Sequence, residues 1–210
     1  EKGDRLALFM PNIPEFIMIY FAAQKLGAIV VALNVLLVKN EVQYILSDCG
    51  ARIIFAGKDQ VEQVPMDEVE SLEHLILVEG DENDSRHLSR ILDKSVNTFK
   101  ALDMDGHDPA AILYTSGTTG FPKGATLTHQ NVLSNISATI YHAEIKEKDI
   151  LHLFLPLFHC FGQNFIMNSS VKRGATLVMH KRFEPGPVVE AVRKHKVTMF
   201  FAVPTIYIYL

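Results

Sequence analysis

The stretch Tyr114-Thr-Ser-Gly-Thr-Thr-Gly-Phe-Pro-Lys-Gly124 gathers what a polyphosphate needs from a protein. Gly117, Gly120 and Gly124 permit turns closed to other residues and let phosphate oxygens approach the backbone amides. Thr115, Ser116, Thr118 and Thr119 add hydroxyl donors. Lys123 adds a compact positive charge, and Pro122 stiffens the chain beside it. The apolar run Ala110–Tyr114 reads as a strand feeding the loop. Glycine and threonine clusters also make plain turns, so the spacing has to decide. The pattern G-x-x-x-x-G-K-[ST] is not met, because Pro122 precedes Lys123 and Gly124 follows it.

The stretch instead resembles, nearly letter for letter, the Y-T-S-G-T-T-G-x-P-K-G signature of the adenylate-forming (AMP-binding) superfamily, which includes acyl-CoA synthetases, luciferases and the adenylation domains of peptide synthetases. Thr126-Leu-Thr-His-Gln-Asn131 is similar to that family's continuation into its next helix, although Ala125 stands where valine is more usual. Leu155-Pro-Leu-Phe-His-Cys-Phe-Gly-Gln163 resembles the family's substrate-pocket motif, and Val203-Pro-Thr-Ile-Tyr207 a segment further along. Asp4–Pro14 and Leu26-Gly-Ala-Ile-Val30 are like its early strand and helix, so the resemblance spans essentially the whole chain.

That resemblance implies ATP-dependent activation of a carboxylic acid to an acyl-adenylate, followed by thioester formation with coenzyme A. It assigns the β- and γ-phosphates to Ser116, Gly117, Thr118, Thr119, Gly120 and Lys123, and gives Thr115 a hydroxyl contact to Mg²⁺. His159 matches a pocket histidine between the acyl and adenylate sites, which makes Lys123 and His159 the expected catalytic pair. Phe158, Phe161 and Gly162 beside it would line the acyl pocket, or equally belong to the core. His129 reads as fixing a helix start. His142, His152, His180 and His195 show no metal-ligand spacing. The segment Phe158–Asn168 with Gly174-Ala-Thr-Leu177 is most like fatty acyl-CoA synthetases. An acyl carrier protein as the thiol partner, or a module that binds nucleotide without catalysis, stays open.

Bulk properties are those of an ordinary soluble globular protein. The 210 residues are 48% hydrophobic and 21% charged, and the net charge of −4 speaks against a nucleic-acid binder. Residues 1–110 carry 10 Lys/Arg against 19 Asp/Glu, and residues 111–210 carry 10 against 5. Cys49 and Cys160 lack metal spacing; they suit free thiols in a reducing cytosol, although a disulfide is arithmetically possible. The apolar stretch from Phe16 to Val38 is interrupted by Gln24, Lys25 and Asn34. One lysine mid-span costs roughly 3 kcal/mol, so helix, turn and buried strand is the better account. A cytoplasmic protein is expected, with no transmembrane segment.

The elements that must position these residues alternate. Strands are expected at Arg5–Phe9, Ala28–Leu33, Arg52–Ala56, Leu75–Val78, Ala110–Tyr114, Ala125–Leu127, Ile150–Leu155, Thr176–Met179 and Thr198–Ala202. Helices are expected from Pro14 to about Leu26, over Asn40–Cys49, near Leu88–Val96, after Thr128, and near Phe161–Val171 and Pro187–His195. Val132, Leu133, Ile136 and Ile140 recur at helical spacing and predict a core face. Such alternation implies an α/β fold of layered helices and largely parallel sheet. Residues 59–108 are acidic and weakly periodic, and should wrap the surface.

Beginning at Glu1 and stopping inside Ile206-Tyr-Ile-Tyr-Leu210, the chain reads as part of the family's large N-terminal domain, with approximate subregions 1–102 and 103–210. By the resemblance, an Mg²⁺-assisting glutamate, a ribose-binding aspartate and a C-terminal lysine would lie downstream. The 210 residues alone are therefore expected not to adenylate an acid.

Overall fold

The computed structural model describes residues 1–115 and 121–210. The chain falls into two compact units: Glu1–Met10 with Glu15–His129, and Pro11–Pro14 with Gln130–Leu210.

In the first unit, β1 (Arg5–Phe9), α1 (Pro14–Leu26), β2 (Ile29–Ala32), α2 (Lys39–Cys49) and β3 (Ala51–Ala56) follow one another as βαβ crossovers. After β4 (His74–Leu77) and the short α3 (Leu88–Leu92) come β5 (Pro109–Thr115) and β6 (Lys123–Thr128). The sheet order is β4-β3-β1-β2-β5-β6. All neighbours are parallel except β5 and β6, which pair antiparallel. A parallel return needs a crossover of a dozen or more residues, and residues 116–122 are too few. β1 and β2 are nearly continuous apolar runs because helices cover them.

The core on one side of this sheet joins Phe9, Val31, Leu33 and Ile54 to Val42, Ile45 and Leu46 of α2. Those three α2 residues recur at helical spacing, which leaves the opposite face polar. Glu41 accepts the Val38 N–H at 3.0 Å to start the helix, and Gly50 ends it at φ 64°. The apolar stretch beginning at Phe16 is indeed a helix, a turn at Gly27 and a buried strand. Among the described residues no helix is long and apolar enough to cross a membrane. In the acidic segment, besides two 3-10 turns, α3 ends at Leu92, where the sequence predicts a longer helix to Val96.

The second unit contains α4 (His129–His142), β7 (Ile150–Leu153), a π-helical segment (Phe161–Asn168), α5 (Ser169–Arg173), β8 (Thr176–Met179), α6 (Pro185–His195), β9 (Met199–Phe200) and α7 (Pro204–Ile208). β7 lies between β8 and β9, parallel to both. Val132 and Ile136 of α4 are buried as their spacing predicts, but Leu133 is half exposed. It sits one residue beyond Val132, turned about 100° away from the buried stripe.

Two buried polar side chains hold this unit in contrasting ways. Asn12 donates Nδ2–H to the Leu155 carbonyl at 2.9 Å and accepts the Leu157 N–H on Oδ1 at 2.9 Å, so one amide closes two backbone groups. His152, at the centre of β7, is fully buried, with neither ring nitrogen hydrogen-bonded. The rings of His180, Phe154 and Phe200 surround it, with centroids 5.0, 5.3 and 5.8 Å away. Burial first, then the charges of His180 and His195, push its pKa from 6.5 to about 4.

Each of these residues yields a measurable consequence. An unpaired buried backbone group costs about 1–3 kcal/mol, so Asn12→Ala should lose about 3 kcal/mol in urea unfolding by stranding two groups. Asn12→Asp should fare no better, since its carboxylate would face the Leu155 carbonyl. For His152, the folded pKa lies below the unfolded one, so between pH 6.5 and 4 the unfolded chain binds a proton that the folded chain refuses. Stability is therefore lost as pH drops through that window, by up to about 3 kcal/mol at 1.36 kcal/mol per unit. His152→Phe should flatten this part of the profile, as read from urea midpoints at pH 7 and 4.5; an unchanged slope would contradict the assignment.

Candidate functional site

The β5–β6 hairpin carries the phosphate-loop sequence. Its register sets Thr115 opposite Lys123 and Tyr114 opposite Gly124, so hydroxyl and ammonium leave the sheet at the same end. Both residues are exposed there. Ser116, Gly117, Thr118, Thr119 and Gly120 lie outside the described residues. Gly124 is required by a neighbour: a Cβ there would come within 2.8 Å of Ile112 Cγ2 and 3.0 Å of Tyr114 Cζ.

The polar side of α2 reaches this hairpin. The Tyr114 phenol donates to the Asp48 carboxylate, and the Tyr44 and Phe121 rings pack 5.2 Å apart with a 30° tilt. Burial, followed by the hydrogen bond to Asp48, pushes the Tyr114 pKa far above its usual value, so the phenol stays a donor. At the other end of the hairpin, the His129 amide donates to the Asp108 carbonyl at 3.0 Å, which places His129 as the opening residue of α4.

Among the described residues no cluster of three His, Cys, Asp or Glu side chains is placed to hold a metal ion. Mg²⁺ commonly keeps several waters and takes phosphate oxygens as ligands. A lone threonine hydroxyl thus fits a cation that arrives on a nucleotide, and does not suffice for one caged by protein.

In the second unit, the segment after β7 is tied down before it reaches His159. Asn12 fixes Leu155 and Leu157, Gln163 donates its side-chain amide to the Leu157 carbonyl at 3.1 Å, and the His159 N–H bonds to the Pro156 carbonyl at 3.1 Å. The His159 side chain is exposed, and its Nδ1 accepts the Phe161 N–H at 3.2 Å. That bond assigns the proton of a neutral imidazole to Nε2, the nitrogen left to face a ligand. Phe158 and Phe161 are half-buried; Phe161 packs edge-on against Phe165, with centroids 5.0 Å apart. Gly162 is buried, and a Cβ there would lie 2.3 Å from the Pro156 carbonyl oxygen. Its place in the motif is explained by backbone packing. Cys160 is exposed and Cys49 half-buried; both are free thiols, and burial raises the Cys49 pKa to about 11.

The expected ordinary helix over Phe161–Val171 is π-helical up to Asn168 before becoming α5. Ser169 Oγ donates to the Asn164 carbonyl five residues back at 3.1 Å, and Ser170 Oγ to the Ile166 carbonyl at 2.7 Å. These buried hydroxyls serve the carbonyls of the wide turn. A π segment often marks a functional site.

Sequence reasoning missed Asn12, Tyr44, Asp48 and the role of Gln163. The four-residue spacing of Tyr44 and Asp48 on the polar face of α2 was a usable signal. For Asn12 only the flanking Pro11 and Pro14 hinted at a fixed segment.

Comparison with known proteins agrees with the motifs. The family model for the AMP-binding enzyme matches residues 1–210. The chain is 30% identical to 4-coumarate–CoA ligase 3 of Arabidopsis thaliana, covering 100% of the chain and 38% of that protein. It is 34% identical to the long-chain-fatty-acid–CoA ligase FadD13 of Mycobacterium tuberculosis (strain ATCC 25618 / H37Rv), covering 98% and 40%. The crystal structure of ATP-bound MatB from Rhodopseudomonas palustris superposes with a TM-score of 0.90 at 25% identity, covering 100% of this chain and 41% of that one. The chain thus spans about two-fifths of the length of the curated relatives it matches. With its loop motif, its fold and a match along its whole length, the chain belongs to the AMP-binding enzyme family.

Proposed function

We propose that the protein containing this chain is an AMP-forming acid–thiol ligase that activates an apolar, fatty-type carboxylic acid with ATP and transfers the acyl group to coenzyme A. The observation that carries the reading is the hairpin register, with the Lys123 ammonium opposite the Thr115 hydroxyl at the loop's mouth.

In the first half-reaction a carboxylate oxygen attacks the α-phosphorus of ATP, the bond to the bridging oxygen breaks, and pyrophosphate leaves. Negative charge grows on the departing group. The donors of Ser116, Gly117, Thr118, Thr119 and Gly120 hold its oxygens, and Lys123 offsets its charge. Thr115 would contact Mg²⁺ carried in on the nucleotide, which would supply further charge neutralisation. His159 donates from Nε2 to an oxygen of the acid or its adenylate. In the second half-reaction the deprotonated thiol attacks the acyl carbonyl and AMP leaves.

The fatty-type acid is supported by the half-buried rings of Phe158 and Phe161 beside His159 and by the name of the 34%-identical relative. The 4-coumarate ligase supplies the competing acid class.

Two measurements on the full-length protein test this. Lys123→Ala should lower kcat/KM for acid-dependent ATP–pyrophosphate exchange by about 10²–10³, the usual cost of one transition-state donor, with little change in Tm. Across a series of straight-chain acids, kcat/KM should rise about fourfold per methylene, matching roughly 0.8 kcal/mol of burial, until the pocket is full. A flat series with strong preference for a hydroxycinnamate would sink the fatty-acid part.

A further inference from the structure

Helix α2 meets the hairpin on both sides of the loop. Before the loop, Tyr114 donates its phenol to Asp48; after it, Phe121 packs on Tyr44. Four residues apart, Tyr44 and Asp48 lie along one side of a helix sunk in the core through Val42, Ile45 and Leu46, and Tyr44 is itself packed against that core. The anchor is therefore rigid.

The contact passes on to the loop's charged residue. Tyr114 lies over Gly124, so closely that a Cβ on Gly124 would stand 3.2 Å from the phenol oxygen. Gly124 is the neighbour of Lys123, as Tyr114 is of Thr115. Moving the Tyr114 ring means moving the strand pair that ends in those two residues. Asp48 also carries a cost: a carboxylate near a polyphosphate site repels the ligand. In return it is a stronger acceptor for the phenol than a neutral group.

We propose that Asp48, assisted by Tyr44, is a positioning residue for the nucleotide-phosphate site, holding Tyr114 and through it the Thr115–Lys123 end of the hairpin. This rests on the ATP reading above. If Asp48 were only a surface residue, its removal would shift stability without touching nucleotide affinity.

The test uses the full-length protein, with MgATP affinity from titration calorimetry and Tm from thermal melts. Asp48→Ala should weaken MgATP binding about tenfold, the effect of one charge-assisted hydrogen bond. Tyr114→Phe, an independent route to the same loss, should do likewise, and the double variant should be no worse than the weaker single. Asp48→Asn keeps an acceptor and removes the repelling charge, so it should bind MgATP as well as wild type or better. The proposal is overturned if Asp48→Ala stays within twofold, if Asp48→Asn is as impaired as Asp48→Ala, or if the two single effects multiply. Acid-dependent exchange in the same samples reports separately: wild type that binds MgATP without exchange defeats acid activation and leaves the positioning role standing. Wild type that binds no MgATP defeats both.

Discussion

The short connection between β5 and β6 constrains the hairpin that carries Thr115 and Lys123. Residues 116–122 cannot span a crossover, so β6 must return antiparallel beside a sheet that is otherwise parallel. Once it does, Thr115 faces Lys123 and Tyr114 faces Gly124 without further choice. A glycine at 124 then lets the tyrosine ring lie down on the neighbouring strand. The pairing of Thr115 with Lys123 is thus set by strand register, which is strongly specified wherever a face of the sheet is buried.

Side chains complete what register begins, by two different means. The hairpin is held by an exposed carboxylate that accepts from Tyr114 and by the Tyr44–Phe121 ring pair. The His159 segment is held by Asn12 and Gln163, both buried, where each unmade bond exposes a penalty. The first arrangement tunes geometry; the second forbids alternatives. His159 shares in the second, because its own backbone is bonded on both sides, through its N–H to Pro156 and its carbonyl to Gln163.

Local features were legible in the sequence where one residue type has one mechanical use. Gly50 ends α2, Arg5–Phe9 is a strand because it is apolar throughout, and the loop's motif names its family. Features that depend on a distant partner were not legible. Asn12 finds its bonds over a hundred residues away, so nothing near it in the chain reveals them. Leu133 fits the helical period of a core face yet stands half exposed, since periodicity cannot say how wide the buried stripe is. The π-helical turns escaped because buried Ser169 and Ser170, which serve their carbonyls, look like ordinary polar residues in a string.

Charge shows the same division between bulk and local cause. Residues 1–110, which supply the strands β1–β4 of the same sheet, are strongly acidic, a bulk charge unfavourable to an anionic ligand. Yet the electrostatic reach of an exposed charge is only about 8 Å at physiological salt. Several of those carboxylates are also tied to cations: Asp4 and Glu73 to Arg52, Asp84 to Arg86, Asp108 to Lys2, Glu68 to Lys39. Asp48 is the carboxylate whose hydrogen bond reaches the hairpin next to the loop, and its partner is a neutral phenol. The net charge of the half-chain therefore says little about phosphate affinity. The local charges at this end of the hairpin are the lysine paired with Thr115 and the aspartate bonded to Tyr114.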